Sequence, residues 1–272
     1  MARATGEGTL SGWRWTVLSD GWTQAREALL IRGGSWRKIV RCAATAVLLE
    51  SDRFGPVLFD CGYSSRFASE TAQWPGRLYR HLAPATLTEP DGIAGLLQKR
   101  GLDPGKLPRL IVSHWHADHV GGLRDFPNAI VHASREGWQA VSGLRGMAAL
   151  RHGVLPGLLP EDLPDRLRWV GEGSDLFGDG SMVVLSLPGH AVGQIGIRFQ
   201  AGDGSPVLLA ADACWLSEGY RLNRSPHPIT GLLQDLRACQ ATVERLHRLH
   251  LAEPSLRILP CHCPETLALV PV

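Results

Sequence analysis

The feature that most constrains this chain is a run of metal-binding residue types, His-Trp-His-Ala-Asp-His, at positions 114–119. Imidazole and carboxylate groups suit zinc, with manganese, iron or cobalt as acceptable substitutes. Three histidines and one aspartate within six residues exceed the three protein ligands that one catalytic metal normally keeps. His114 and His116 can face one metal while Asp118 and His119 face another. The run therefore predicts a centre of two divalent metal ions.

Further residues of the same types follow apolar segments elsewhere in the chain. His190, Asp212 and His262 each follow an apolar run that is typical of a strand, as the motif itself follows Leu110–Val112. Side chains placed just beyond strand ends can meet at one edge of a sheet, where the sheet fixes their geometry. These three residues supply the atom types that would complete both metal sites.

The remaining pattern predicts one α/β domain over residues 1–272. A hydrophobic content of 44% is enough for a full-sized core. Residues 1–40 are expected to be partly peripheral, and the Pro- and Leu-rich segment 144–164 is a candidate lid. Apolar spacing and turn residues predict a hairpin of strands 42–50 and 57–61, a helix over 89–100 capped by Gly101, a strand–helix pair at 129–132 and 134–141, and an amphipathic helix over 229–250.

Composition argues against several classes of protein. The net charge is +2, from 28 basic and 26 acidic residues without a block of like charge, whereas a nucleic-acid-binding protein would cluster its basic residues. The first twenty residues lack the apolar core of a signal peptide, and no stretch approaches the roughly 18 apolar residues of a membrane span. Six cysteines are too few for a disulfide-dense scaffold. We therefore expect a cytoplasmic protein, a monomer or homodimer with reduced thiols, that binds neither nucleic acid nor membrane.

Four segments together resemble one known family. The hairpin CAATAVLLESDRFGPVLFDCG, the stretch IAGLLQKRGLDPGKLPRLIVSHWHADHVGG, the strand and helix VHASREGWQAV, and the segment LPGHAVGQIGI resemble the metallo-β-lactamase superfamily. Within it, the chain looks most like the N-acyl homoserine lactonases, which hydrolyse bacterial quorum signals (quorum quenching). The resemblance runs from about Cys42 to Glu265. It implies a four-layer αββα sandwich with the metals between the sheets at one edge.

The resemblance also implies a role for each ligand. It gives one metal to three histidines, the other to Asp118 and two histidines, and makes Asp212 the bridge between them. Asp60 would orient the metal loop without binding a metal, because a carboxylate behind a ligating histidine fixes the orientation of its ring. The ligands are thus His114, His116 and His190 for the first metal, and Asp118, His119 and His262 for the second.

These ligands suggest a hydrolytic mechanism. Two cations would share a bridging hydroxide, which attacks the carbonyl of a lactone or small acyl ester. We therefore expect Asp118 and Asp212 to be the catalytic carboxylates, with Asp118 passing a proton to the leaving group.

Some positions depart from the lactonase pattern or lie near the predicted ligands. Relatives have a tyrosine three residues after the bridging aspartate, where this chain has Trp215, which lines the pocket or replaces the tyrosine as a donor. Trp115 and Tyr220 are weaker candidates for the substrate pocket, as is His227. Neighbours of a ligand on an extended chain point away from it, so Cys261 and Cys263 are expected not to bind metal. We expect Cys214 to be a buried bystander.

Other activities of the same superfamily remain open at this point. A thioesterase of the glyoxalase II kind or a β-lactamase would use a similar centre. An iron-dependent persulfide dioxygenase would use one metal and fewer ligands. A binding or regulatory protein could keep the fold with little turnover, although it would not need a complete set of ligands.

Overall fold

The computed structural model describes residues 12–271, in which eleven strands form two sheets. Long apolar runs such as residues 42–49 form strands that are buried on both faces, so they do not alternate between apolar and polar residues. The strands are β1 (Arg14–Arg26), β2 (Ile39–Ser51), β3 (Gly55–Phe59), β4 (Thr86–Leu87), β5 (Arg109–Ile111), β6 (Ile130–Ser134), β7 (Leu167–Val170), β8 (Met182–Ser186), β9 (Ile195–Gln200), β10 (Pro206–Ala211) and β11 (Arg257–Pro260).

Helices connect these strands and cover the outer faces of both sheets. In the described residues they are α1 (Glu27–Leu30), α2 (Arg66–Glu70), α3 (Gly76–Leu82), α4 (Gly92–Lys99), α5 (Ala117–Val120), α6 (Arg135–Val141), α7 (Gly146–Arg151), α8 (Leu163–Arg166), α9 (Ser217–Arg221), α10 (Leu236–Ala252) and α11 (Pro264–Leu267). Short 3₁₀ helices lie at Pro104–Lys106, Leu123–Asp125, Pro156–Leu158 and Pro228–Leu232. None of these helices is long and apolar enough to cross a membrane.

Both sheets are mixed. The larger has seven strands in the order β4-β1-β2-β3-β5-β6-β7, and its second half, from β3 to β7, pairs in parallel. The smaller has four strands in the order β11-β10-β9-β8, with only β10 and β11 parallel. The parallel pairs matter for function because their carboxyl ends point to one edge of each sheet.

The core divides into layers by the alternation of side chains along each strand. On the larger sheet, Val47 and Phe59 face the smaller sheet, where they pack with residues such as Ile197. The neighbouring Leu48 and Leu58 face the other way, against helices that include α4. On the far side of the smaller sheet, an apolar cluster joins strands β10 and β11 to α10. The order of layers is helix, sheet, sheet, helix, which confirms the predicted αββα sandwich.

The structure confirms the predicted hairpin and the helix before the metal motif. Strands β2 and β3 pair antiparallel, with Val47 opposite Phe59. Helix α4 ends at Lys99, and Gly101 follows with a φ of +78°, a conformation that glycine adopts without strain.

The helix predicted over residues 229–250 begins later than its apolar spacing suggests. Helix α10 starts at Leu236, because the Asp235 side chain accepts hydrogen bonds from the amides of Arg237 and Ala238 and caps the helix there. Ile229, Leu232 and Leu233 lie upstream and are exposed. Their spacing therefore reflects a separate 3₁₀ segment.

The N-terminal stretch is less peripheral than we expected. Strand β1 pairs along its length with β2, and Trp13 and Val17 are buried between the two sheets. Residues 1–11 of this stretch lie outside the described residues. The candidate lid, 144–164, contains α7 and a 3₁₀ helix, and Val154 and Leu158 from it are buried. That it acts as a lid stays a prediction.

Candidate metal centre

Strand ends from both sheets meet at one edge of the sandwich and carry the predicted ligands. The 114–119 run follows β5 of the larger sheet, and its last residues form the short helix α5. His190 lies beyond β8, Asp212 directly follows β10, and His262 lies just beyond β11, all in the smaller sheet. The chain thus brings together residues that are up to 148 positions apart, from 114 to 262.

The predicted ligands form two adjacent groups. In the first, one ligand-type atom from each of His114, His116 and His190 lies within 4.8 Å of the others, with 2.9 Å between His116 Nδ1 and His190 Nε2. In the second, His119, Asp212 and His262 meet the same distance criterion together with Cys261. Both groups therefore have the compactness that a bound cation requires.

Asp212 lies between the two groups. Its Oδ2 is 3.3 Å from His190 Nε2 of the first group and 3.0 Å from His262 Nε2 of the second, and its Oδ1 is 3.3 Å from His119 Nε2. Asp118 borders the second group, with its Oδ2 3.3 Å from His262 Nε2 and 3.8 Å from His119 Nε2. One carboxylate thus faces both groups and another faces only the second.

Three polar atoms of this cluster have no hydrogen-bond partner among the described residues. His114 Nε2, His119 Nε2 and Asp212 Oδ1 are buried and accept or donate no hydrogen bond within residues 12–271. A buried polar atom without a partner costs on the order of 1–3 kcal/mol. Cations bound here would satisfy all three atoms, and the nitrogen and oxygen donors suit zinc and similar ions. The residues present fit a metal centre.

Hydrogen bonds on the far side of three of the rings fix their orientation. His119 Nδ1 is 2.8 Å from Asp60 Oδ2, and His262 Nδ1 is 2.6 Å from the carbonyl oxygen of Ala43. His190 Nδ1 is 3.2 Å from Gln234 Oε1. Because Nδ1 of these rings is engaged, their Nε2 atoms face the centre. His116 is reversed and presents Nδ1 to the cluster.

Asp60 organises the loop that carries the motif. Its Oδ1 accepts a hydrogen bond from the Ser113 amide at 2.8 Å, and its Oδ2 accepts one from the Ser113 hydroxyl at 2.7 Å. The same hydroxyl lies 3.0 Å from His114 Nδ1. One carboxylate therefore holds His119 directly and His114 through Ser113, the arrangement expected from the sequence for a residue that orients the loop.

Burial and neighbouring charges set the protonation of the rings. Burial, followed by the neighbouring histidines, lowers the pKa of His114 well below its ordinary value, and burial likewise lowers the pKa of His116 and His190. In the second group burial also acts to lower the pKa, but Asp212 and Asp118 outweigh it and raise the pKa of His262 to about 9. The first group is therefore a set of neutral imidazoles, which is the form that binds metals.

Cavities open beside the cluster. A cavity of about 250 Å³, called the apolar cavity below, reaches His116 and His190 and is lined mainly by apolar side chains, among them Tyr79, Leu82, Leu150, Trp215 and Leu233. A second, of about 240 Å³, lies over Asp118, Asp212 and His262 and shares Tyr79 and Trp215 with the first. A small organic molecule therefore has access to both groups.

The structure also locates the weaker sequence candidates. Trp215 lines both of these cavities, and its indole Nε1 donates a hydrogen bond to Asp212 Oδ2 at 3.1 Å. Trp115 is buried against Trp138, with 4.9 Å between ring centroids, and borders a different cavity of about 420 Å³. His227 is not among the residues lining these three cavities.

Two expectations for residues near the ligands are corrected. Tyr220 does not line the two cavities over the cluster: it is buried between the smaller sheet and α10, and its hydroxyl donates to the Ile258 carbonyl at 3.3 Å. Cys261 does not point away from the cluster, because residues 261–262 form a turn in which the alternation of an extended chain does not apply. Cys214 packs in the same apolar cluster as Tyr220, as expected for a bystander.

Sequence reasoning missed several residues of the site. Ser113 directly precedes the first ligand, and its position after a strand could have identified it. Tyr79 and Gln234 lie in irregular or short segments without a motif, and Ala43 contributes only its carbonyl, so the sequence carries no signal for them.

Comparisons with known proteins agree with this geometry. Residues 39–261 match the family model described as the metallo-beta-lactamase superfamily. A probable metallo-hydrolase of Mycobacterium tuberculosis is 30% identical over 239 residues, covering 80% of this chain and 74% of the relative. An N-acyl homoserine lactonase of Bacillus thuringiensis is 26% identical over 187 residues, covering 67% of this chain and 68% of the relative.

Solved structures share the whole fold. An N-acyl homoserine lactone hydrolase with the product N-hexanoyl-L-homoserine bound at its catalytic metal centre superposes with a TM-score of 0.77 at 19% identity, covering 97% of this chain and 98% of the other. A dizinc quorum-quenching lactonase superposes with a TM-score of 0.67 at 16% identity, covering 93% and 88%. At these identities the likeness concerns the fold.

Proposed function

The chain belongs to the metallo-β-lactamase superfamily of hydrolases, and from this premise we propose that it is a dinuclear enzyme that opens a lactone or cleaves a small acyl ester. The observation that carries the proposal is the convergence of five imidazoles and two carboxylates around buried atoms without protein partners. Its lactonase relatives make a lactone the first substrate to test.

Each ligand has one role in this proposal. His114, His116 and His190 would hold one cation, while Asp118, His119 and His262 would hold the other, with Asp212 between them. Two divalent cations, most simply zinc, lower the pKa of water and polarise a carbonyl oxygen. The protein supplies fixed geometry, since four of the rings are oriented by Ser113, Asp60, Ala43 or Gln234.

Asp118 is the proton carrier of the proposal. Its carboxylate is largely buried but borders the cavity over the centre, so it can reach a substrate bound there. Asp212 in contrast contacts histidines of both groups and is nearly inaccessible. We therefore assign proton transfer to the leaving oxygen to Asp118 and the bridging position to Asp212.

The apolar cavity supports an acyl substrate. Leu82, Leu150 and Leu233 can contact a hydrocarbon chain while the reacting carbonyl lies beside His116 and His190. A volume of about 250 Å³ suits a small ligand.

The structure of the cavities also suggests a hydrogen-bond donor for the substrate. The indole N–H of Trp215 is engaged with Asp212, so it serves the ligand rather than the substrate. Tyr79 lines the same two cavities, and burial followed by Asp118 raises the pKa of its hydroxyl above the ordinary value. A phenol that keeps its proton can donate to the carbonyl oxygen, the task that lactonases with tyrosine near the bridging aspartate give to that residue.

The direct test is a pH-stat screen of lactones, thioesters and β-lactams with metal-loaded enzyme, together with metal analysis. We expect lactone or acyl-ester turnover and two cations per chain. Asp212→Ala should lose both bound metal and turnover, whereas Asp203→Ala, in an exposed turn, should retain them. Preference for thioesters or β-lactams would replace the substrate assignment, and one iron per chain would support an oxygenase instead.

A second test separates Tyr79 from Trp215. Tyr79→Phe should lower kcat by about a hundredfold, the cost of removing one transition-state donor, while metal affinity stays unchanged. Trp215→Phe keeps an aromatic ring beside His190 but removes the donor to Asp212, so it should weaken metal binding, measured by chelator competition. A lower kcat in Trp215→Phe with unchanged metal affinity, together with unchanged kcat in Tyr79→Phe, would instead assign the donor role to Trp215. Oligomeric state and cytoplasmic location stay predictions.

A further inference from the structure

The sulfur of Cys261 lies within the group of atoms that surrounds the second metal position. One ligand-type atom each from His119, Asp212 and His262 lies within 4.8 Å of this sulfur and of the others. Cys261 is adjacent to His262 in sequence, but the turn at 261–262 lets both side chains face the centre. Cys261 is buried, with 5% of the residue exposed.

Contacts with Thr45 hold the sulfur of Cys261 in place. The amide of Thr45 donates to Cys261 Sγ at 3.4 Å, while the Thr45 hydroxyl donates to the Cys261 carbonyl at 2.9 Å and the thiol faces the Thr45 carbonyl at 3.5 Å. Hydrogen-bond donors to a ligating atom are the usual support for a metal ligand. The amide donor comes from β2 of the larger sheet.

A second observation points to a ligand in the same space. His119 Nε2 and Asp212 Oδ1 are buried and have no hydrogen-bond partner among the described residues, and both residues belong to the group that contains Cys261. The sulfur therefore lies beside two buried atoms that a bound cation would satisfy.

We propose that Cys261 is a thiolate ligand of the cation held by Asp118, His119 and His262, so that this site has nitrogen, oxygen and sulfur donors while the other has histidine and carboxylate donors only. The proposal rests on the two-metal centre proposed above. As the sulfur–metal bond forms, the S–H bond breaks and its proton leaves to the buffer, as metal binding by cysteine requires. No oxidant or reductant takes part.

A thiolate donor changes which ions the second site prefers. Sulfur is a soft ligand that favours zinc and cobalt over manganese and magnesium, whereas the first site lacks this bias. The two sites of this chain should therefore differ in metal preference, and manganese should fill the second site poorly.

Cobalt(II) substitution tests the proposal by spectroscopy. We expect the cobalt-loaded enzyme to show sulfur-to-cobalt charge-transfer absorption in the near ultraviolet, and Cys261→Ser to abolish it. Cys263→Ser is the matched control, because Cys263 is also buried in this loop and bonds to Ser217, yet lies outside the ligand group. X-ray absorption of the zinc-loaded wild type should show a sulfur neighbour at about 2.3 Å.

The absence of a sulfur neighbour in the wild-type zinc enzyme would overturn the proposal without any variant having to fold. Persistence of the cobalt band in Cys261→Ser would also overturn it and assign the sulfur to another cysteine. Neither result bears on whether two cations bind or a lactone is hydrolysed, since metal content and turnover are measured separately. The two proposals therefore fail independently.

Discussion

Asp60 is a buried carboxylate held in an uncommon backbone conformation, with a φ of +57°. Left-handed backbone costs a residue other than glycine on the order of 1–3 kcal/mol and persists where the surroundings enforce it. Here the conformation lets one side chain accept hydrogen bonds from the Ser113 amide and hydroxyl and contact the His119 ring. The strained residue thus positions two of the predicted ligands, His119 directly and His114 through Ser113.

Replacing this carboxylate tests its role at the residue scale. Asp60→Asn keeps the volume but puts an amide donor where acceptors are needed, so we expect metal affinity to fall by about 10–100-fold. Chelator competition measures this change. Asp52→Asn, which alters only an exposed ion pair with Arg14, is the control. Equal affinity in the two variants would refute the positioning role.

Some residues of the site could be predicted from the sequence, and others could not. The 114–119 run and the residues after β8, β10 and β11 were predicted because metal coordination needs particular atom types, and strand ends bring them together. The direction of the Cys261 side chain was predicted wrongly because the sequence does not show where the extended chain of β11 turns. Gln234 and Tyr79 had no signal, since their role depends on the packing of distant segments.

At the scale of elements, strand β6 carries a histidine that is unrelated to the metal centre. His132 lies opposite Ile111 of β5 and Arg168 of β7, and its Nδ1 has no hydrogen-bond partner within the described chain. Burial first, and then Arg109 and Arg168, lower the pKa of His132 to about 4. The ring is therefore neutral in the folded protein at neutral pH.

Because the pKa of His132 is lowered in the folded protein, we expect the stability of the fold to depend on pH. An unfolded histidine has a pKa near 6.5, so between about pH 6.5 and 4 the unfolded chain binds the proton more readily and stability falls as the pH falls. His132→Phe removes this loss of stability. The Tm of the variant minus the Tm of the wild type should therefore become more positive as the pH is lowered from 7 to 4.5. His81→Phe on α3 is the control. The wild type and both variants contain the same histidines in the metal centre, so the titration of these histidines does not affect the Tm differences. A constant Tm difference would contradict the prediction.

Elements differ in how well the sequence predicted them. The β2–β3 hairpin and α4 have strong local signals, a turn between apolar runs and a capping glycine. Helix α10 was extended too far because 229, 232 and 233 continue its apolar spacing, although the Asp235 cap starts it later. Strand β1 was missed because its polar residues, such as Ser19 and Thr23, hide the pairing with β2 that buries it.

For the whole molecule, the centre joins the two sheets. Its predicted ligands come from the loop after β5 in the larger sheet and from the ends of β8, β10 and β11 in the smaller one. Cations bound by these residues would therefore link the two sheets at this edge, in addition to the apolar core between them.

Removal of the metals should loosen this edge selectively. We expect a chelator to lower Tm by about 5–10 °C, since a ligand at a hundred times its Kd stabilises a fold by about 2.7 kcal/mol. Hydrogen exchange should rise in β10, β11 and the 113–120 loop and change little in α4, and zinc should restore both readouts. Uniform protection changes would mean that the centre does not link the sheets.

Gly153 has a φ of +67°, and a Cβ there would lie 2.4 Å from Cδ2 of His116. Its carbonyl also accepts the Ala117 amide at 3.2 Å. The same segment supplies Leu150 and Arg151 to the apolar cavity. Substitutions at 150 and 151, in evolution or in a mutant library, can therefore change the substrate range. At 153 they cannot, because any side chain would displace the His116 imidazole and abolish catalysis.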